Sequence, residues 1–429
     1  MNNGQARRVA VLGGTRIPFC RSHTAYRHCS NQQLMTAALK GLVKRFDLAG
    51  QTLGDVALGA VIKHSRDWNL ARESVLGSGL GARTPAVDLQ RACGTGLEGV
   101  VMVANKIALG QIDVGIGGGT DTTSDPPIVF GDGFRRIALE SFRARSLGQR
   151  LRPWLRFRPK HLKPSFPGTA EPRTKLSMGQ STEITAQRWG ITRDAQDALA
   201  LESHRRAAAA WDEGFYEDLV VPFEGVTEDN LLRRDTSVEK LAKLPPAFER
   251  SSHGTLTAGN SSALTDGAAC ALLASEDWAR ERGLEPLAWI THAKVAAIDF
   301  VRDETLLMAP AYAVPAMLDD AGLGLQDFDF YEIHEAFAAQ VLATLAAWES
   351  PEFCRERLGR DAPLGRIDRA KLNVRGGSLA MGHPFAATGG RIVASLAKQL
   401  HANGGGRGLI SICTAGGMGV TAILEAPRA

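Results

Sequence analysis

Apolar positions along the chain fall into short continuous runs set off by glycine-marked turns, and these runs alternate with stretches of helical period. Val9 to Leu12 reads as a buried strand entering a turn that ends near Phe19, and Trp289 to Phe300 repeats that strand-then-turn pattern. Ala38 to Arg45 reads as a helix, followed by Leu53-Gly54-Asp55 and an apolar strand, Val56 to Ile62. The same order returns later: a helix over Val314 to Ala321, then Leu325-Gln326-Asp327, then a strand over Phe328 to Ile333. Each half continues as strand, sharp turn, long helix and glycine-rich strand, in Pro85 to Gly119 and again in Lys371 to Gly417. Alternating strands and helices imply parallel strands with both faces covered. The recurrence implies that this α/β unit is duplicated. Leu409 to Leu424 is apolar but broken by glycines, Ser411 and two threonines, so it reads as buried strands and not as a membrane span.

The stretch between the halves, Asp125 to about Asn260, is too long for a simple connection. It holds helices over Ser181 to Arg188 and Asp194 to Asp212, then segments punctuated by proline and glycine. Three units are therefore expected. Residues 1–124 form a first half, completed by about 261–287; residues 125–260 form a loop domain; residues 288–429 form the second half.

Composition changes this picture at one place. The formal charge of +4 is uneven: from Phe134 to Pro164 ten lysines and arginines stand against Glu140 alone, so the rest of the chain carries about −5. Within this basic insertion, residues 134–164, Phe142, Leu147, Leu151, Trp154 and Leu155 recur at near-helical spacing, so part of it reads as a basic amphipathic helix. No nucleic-acid motif accompanies these arginines. Six cysteines without a C-x-x-C pair suggest neither a disulfide framework nor a zinc site and fit a reducing, cytoplasmic setting. Met1 to Arg8 lacks the apolar core of a signal peptide. Gly13-Gly14-Thr15-Arg16 lacks dinucleotide-binding spacing, which speaks against hydride chemistry.

Cys93 carries the first chemical signal. It lies in Gln90-Arg91-Ala92-Cys93-Gly94-Thr95-Gly96, after the extended Thr84 to Leu89 and before the helical Val100 to Leu109. A thiol where a strand turns into a helix meets the helix's unpaired N–H groups, which favour the thiolate and are expected to lower its pKa. Read by itself, Cys93 is equally a small buried hydrophobe. Two distant segments add to it: Gly376-Gly377-Ser378-Leu379-Ala380-Met381-Gly382-His383-Pro384, running into Phe385-Ala386-Ala387-Thr388, and Cys413-Thr414-Ala415-Gly416-Gly417-Met418-Gly419. A thiol, a histidine on a glycine-rich turn and a second thiol at a strand end make an acyl-transfer constellation.

These three motifs, with His334-Glu335-Ala336-Phe337-Ala338, Met178-Gly179 with Glu183, and Thr257-Ala258-Gly259-Asn260-Ser261-Ser262 through Asp266-Gly267-Ala268, resemble the thiolase family over nearly the whole chain. His334, where most thiolases carry Asn, makes the chain most similar to the thiolase (beta) subunit of fatty-acid oxidation multienzyme (trifunctional) complexes. The resemblance implies a thiolase fold: two duplicated βαβαβ-type halves in an αβαβα arrangement plus a loop domain that holds coenzyme A. It implies reversible CoA-dependent cleavage of 3-ketoacyl-CoA through acyl-Cys93, with biosynthetic acetoacetyl-CoA formation as the alternative. His383 then handles the Cys93 proton, Cys413 exchanges a proton at the α-carbon, and His334 donates at an oxyanion. The backbone N–H groups of Cys93, Ala415 and Gly416 are the other candidate oxyanion donors, while Ser262 and Met178 fall on the CoA channel. Ser177 stands where many short-chain members have His. No metal or redox cofactor is implied; CoA is a substrate. Implied partners are a second copy, as dimer or dimer of dimers, and, for residues 134–164, an anionic membrane surface or a hydratase/dehydrogenase subunit. Competing readings are a ketoacyl synthase, which needs no second thiol and so leaves Cys413 idle, and a non-catalytic acyl-CoA or lipid carrier.

Overall fold

A computed structural model describes residues 6–428; the first five residues of the segment read above for a signal peptide lie outside them. The main sheet is built from β1 (Val9–Arg16), β2 (Asp55–Gly59), β3 (Ala86–Leu89), β4 (Val114–Asp121), β5 (Thr265–Ser275), β6 (Ala288–Ala297), β7 (Phe330–Ile333), β8 (Gly406–Thr414) and β9 (Met418–Ala426). Its strands run in the order β7-β8-β9-β6-β1-β5-β4-β2-β3. In the first half β3, β2 and β4 are parallel, while β5 and then β1 are antiparallel to their neighbours. The second half repeats this sense: β7 and β8 are parallel, and β9 and then β6 antiparallel. The two halves join through a short antiparallel pairing of β1 with β6.

The duplication is imperfect at one edge. Where the first half has β3, the second has a single parallel bridge, Tyr331 to Leu372. Beside it the Asn373 side chain takes both the N–H and the C=O of Ile333, at 2.9 Å each.

Helices cover both faces. The longer helices of the chain are α1 (Asn31–Arg45), α2 (Leu70–Ser78), α3 (Thr95–Ala108), α4 (Asp132–Arg143), α5 (Met178–Arg188), α6 (Arg193–Asp212), α7 (Pro310–Ala321), α8 (Ala338–Glu349) and α9 (Ala387–Ala402), of which α4 lies in the basic insertion. Period-two alternation along β1 sends Ala10 and Leu12 to one side, where Leu34, Met35, Leu39 and Leu42 of α1 pack. Val9 and Val11 go to the other side, into a core shared by Val100 and Val103 of α3 and Ile392 and Leu396 of α9. Ile410 and Ile412 of β8 reach that same core from the second half, while Leu409 faces Met317 of α7 and Leu345 of α8. The layers are therefore α1/α2, half-sheet, α3/α9, half-sheet, α7/α8. The middle helices touch through glycine: a Cβ on Gly96 would collide with the Ala386 carbonyl oxygen, and one on Gly389 with the Leu97 amide.

The apolar positions read as part of a basic amphipathic helix, Phe142 to Leu155, do not share one helix. Backbone at Ala144 turns extended and ends α4; a five-residue helix, Leu147–Leu151, and two 3₁₀ turns opened by Pro153 and Pro159 follow. Proline has no N–H to continue an α-helical ladder, which divides the segment. Phe134, Trp154 and Phe157 stack with centroids 5.9–6.5 Å apart, so the insertion packs on itself. Phe142, Leu147 and Leu155 stay 74–85% exposed among the arginines.

Candidate active site

Cys93 sits in the turn from β3 into α3. The turn is held at a cost, because Ala92 adopts φ +43°, a region that L-residues with a Cβ rarely occupy. Thr95 locks it: its hydroxyl accepts from Arg91 N–H at 2.8 Å and donates to Ala92 C=O at 2.7 Å. Gly94 has no room for a side chain, since a Cβ would lie 2.8 Å from Thr414 and Val420. That contact presses the Cys93 turn against the β8–β9 hairpin, which carries Cys413 at the end of β8 and turns through Gly416 and Gly417 at φ +79° and +67°.

From the middle layer, His383 precedes α9. Its N–H donates to Thr265 Oγ1 at 3.0 Å, and its Nδ1 lies 2.7 Å from Thr388 Oγ1. His334 follows β7 directly, with its N–H on Ser411 C=O at 2.8 Å and its Nδ1 3.1 Å from Ser378 Oγ. The two imidazoles meet, Nε2 to Nε2, at 3.2 Å. Both are buried, as is Cys413; Cys93 is the one half-buried cysteine of the six. His334 and Cys413 line one small cavity with Gln340 and Ser411.

Electrostatics correct one expectation. Burial pushes the Cys93 thiol up to about 12 instead of letting the helix end lower it; the Ala415 N–H and its own N–H pull the other way, and Asp121 adds to the rise. Stripping water from a thiolate outweighs two amide dipoles here. Cys413 is raised by burial and then by Cys93, which places the two sulfurs within electrostatic reach. Burial, then the Arg391 charge, lowers His383 to about 3. His334 is lowered by burial, then by His383 and Arg391. The resting centre is thus two thiols and two neutral imidazoles.

The supports were not read from sequence. Asp121, at the end of β4, accepts from Val61, Ile62 and Ala386 N–H at 2.8–3.0 Å and so ties the first half to the start of α9; burial raises it to about 6. Glu335 accepts from Ser203, Asn373 and Leu379 N–H, fixing the loop after His334. Position alone hinted at Asp121, an acid closing a glycine-rich strand. Of the residues read for CoA, Ser262 donates from Oγ to Ala336 C=O at 2.8 Å. Met178 opens α5 and packs against the apolar cluster that includes Leu256, Phe337 and Cys413. Ser177 caps that helix reciprocally with Gln180, which gives the residue a structural job. Glu183 accepts from Thr255 and Leu256, pinning the strap that leads to Ser262.

Fold and site together define a class: a duplicated αβαβα protein in which one half brings a thiol and the other a second thiol and two imidazoles to a shared centre, an arrangement suited to acyl transfer. Family models described as "Thiolase, N-terminal domain" and "Thiolase, C-terminal domain" match residues 9–277 and 284–426. The 3-ketoacyl-CoA thiolases of Yersinia enterocolitica and Pectobacterium atrosepticum are 42% and 43% identical, covering 98% and 97% of this chain and 97% and 96% of theirs. Among solved structures, the Bacillus anthracis acetyl-CoA acetyltransferase superposes with a TM-score of 0.82 at 30% identity, covering 99% of this chain and all of that one. Human mitochondrial 3-ketoacyl-CoA thiolase in complex with CoA gives 0.79 at 29%, with the same coverage. The chain belongs to the thiolase family and is an acyltransferase.

Proposed function

We propose that this enzyme cleaves 3-ketoacyl-CoA with free CoA, giving acetyl-CoA and an acyl-CoA shortened by two carbons. Cys93 sulfur attacks the 3-keto carbon as its proton passes to His383 Nε2. The C2–C3 bond breaks, and the acetyl-CoA enolate takes a proton at carbon from Cys413. Free CoA then gives its thiol proton back to Cys413 and displaces the acyl group from Cys93, whose released sulfur takes its proton back from His383. Backbone N–H groups of Cys93, Ala415 and Gly416 serve the tetrahedral oxyanion, and His334 with His383 serves the thioester oxygen. With the thiol near 12 and the imidazole near 3, proton transfer in the empty site is strongly uphill. At neutral pH the thiolate therefore forms chiefly as substrate arrives.

The observation that carries this reading is the second thiol one residue before Thr414, against which the Cys93 turn packs: a decarboxylating ketoacyl synthase has no use for Cys413. Similarity to bacterial 3-ketoacyl-CoA thiolases supports the degradative direction over acetoacetyl-CoA synthesis. In the same proposal residues 125–260, beginning past β4 and ending before β5, act as the loop domain that receives CoA along Ser262 and Met178. The enzyme works in the cytoplasm as a homodimer or dimer of dimers. Its basic, apolar insertion rests on an anionic membrane surface, with a hydratase/dehydrogenase subunit as the competing partner. The test is CoA-dependent thiolysis of short, medium and long 3-ketoacyl-CoA. Turnover rising with chain length and falling at least about a thousandfold in Cys93→Ala is expected; activity confined to acetoacetyl-CoA transfers the reading to biosynthesis, and none at any length overturns it.

A further inference from the structure

Five buried side chains form one continuous line through the site. Arg391 Nη2 donates to Ser378 Oγ at 3.4 Å, Ser378 Oγ lies 3.1 Å from His334 Nδ1, the two Nε2 atoms are 3.2 Å apart, and His383 Nδ1 lies 2.7 Å from Thr388 Oγ1. All five are at most 4% exposed.

The sense of the line follows from its first member. A guanidinium only donates. Ser378 Oγ therefore accepts from Arg391, and its single proton points to its other neighbour, His334 Nδ1. That nitrogen is then the bare one, and neutral His334 carries its proton on Nε2. The Nε2 proton faces His383 Nε2, which must supply a lone pair. Neutral His383 in turn carries its proton on Nδ1 and donates to Thr388. In the opposite sense Ser378 would accept from both sides and its own buried proton would have no acceptor, which is the costly outcome.

We propose that Ser378, oriented by Arg391, is a positioning residue that fixes the tautomers of both histidines, so that resting His383 keeps an unprotonated Nε2, held by the His334 proton, as the atom that later takes the Cys93 proton. The inference deepens the thiolysis reading and rests on it for its chemical consequence. When the Cys93 S–H bond breaks, the electron pair stays on sulfur and the proton fills the His383 Nε2 lone pair. Both Nε2 atoms then carry hydrogen, and their mutual bond is lost. They become two donors aimed at one point, ready for the oxygen of the enolate. Acceptance of the thiol proton thereby builds the oxyanion cradle. With the opposite tautomers, His383 starts with Nε2 occupied and has nowhere to put that proton.

The test compares Ser378→Thr with Ser378→Val, nearly equal in volume and different in the hydroxyl, alongside Ser378→Ala, all in the full chain with folding checked by chemical denaturation. Val and Ala are expected to lose roughly tenfold to a hundredfold in kcat with little change in KM, and Thr to recover most of that loss relative to Val. Independently of activity, ¹⁵N NMR of histidine-labelled wild type, assigned with His334→Asn, reads each ring nitrogen. Expected are a protonated Nε2 on His334 and a bare Nε2 on His383, turning to a mixture in Ser378→Ala. Equal turnover of the Thr and Val variants, or a protonated His383 Nε2 in the resting wild type, overturns the proposal. If Thr and Val do not fold, the Ala comparison and the wild-type spectrum still decide it. A wild type without thiolysis but with these tautomers sinks the functional reading alone.

Discussion

Burial and a helix N-terminus pull on the Cys93 thiol in opposite directions, and the outcome sets how the residue meets an external electrophile. The thiolate is the reactive form. With the thiol held near 12, iodoacetamide labelling of Cys93 in the free enzyme should rise about tenfold per pH unit from neutrality into the alkaline range. A thiol lowered by the helix end would instead reach a plateau just above neutrality, and such a plateau would contradict the electrostatics described. Cys93 should also be labelled before the five buried cysteines, and acyl-CoA should protect it; peptide mass spectrometry reads both. At this scale the motifs located Cys93, His334, His383 and Cys413, and the fold makes them neighbours. The direction of the thiol shift was not legible, because a turn's local sequence carries the helix dipole but not the number of groups that exclude water. Ser378, Thr388 and Arg391 were illegible as partners for a related reason: Ser378 meets His334 across 44 positions of chain.

Helices α3 and α9 hold the two halves of the site at a fixed distance, and glycine sets that distance. In Gly96→Ala the new methyl must push Ala386 away, and the N-terminal turn of α9 with it. Because Thr388 in that turn orients His383, the expected result is a loss of about 1–3 kcal/mol in denaturation together with a fall in kcat. An unchanged kcat in a folded variant would show that the helix contact does not position the imidazole. Elements with strong periodicity were legible to within a few residues. The helix read over Val100 to Leu109 spans Thr95–Ala108, and the strand read over Val56 to Ile62 is Asp55–Gly59. Starts were harder to place than cores, since Gly94, Thr95 and Gly96 are polar or small and break no hydrophobic pattern. The basic insertion misled for the converse reason: its apolar spacing was near-helical, but Pro153, Pro159 and the extended Ala144 divide it.

At the scale of the molecule, the insertion is an appendage whose removal is a fair test of what it is for. Val129–Phe130 pairs antiparallel with Pro164–Ser165, so the ends of the intervening segment are already side by side. Replacing residues 131–163 with a short Gly-Ser linker should leave kcat/KM within about twofold, because the segment packs on itself. The same variant should lose salt-sensitive co-sedimentation with phosphatidylglycerol-containing vesicles. Retained vesicle binding, or none in the wild type, would turn attention to a protein partner. The duplicated order of strands and helices was legible from the hydrophobic pattern, yet its flaw was not, since Leu372 and Asn373 stand where a fifth strand was expected without any break in composition. That flaw gives the sheet a combining number. Beyond β7 the hydrogen-bonding groups are consumed by Leu372 and Asn373, whereas β3 is the last strand on its side. Among the described residues this leaves one open sheet edge, which suits the dimer proposed above: a second copy would saturate it by two-fold symmetry and leave no further strand edge for pairing. Had both halves kept five strands, every addition would have exposed a fresh seam, and the same chain would have been a monomer unit for fibres.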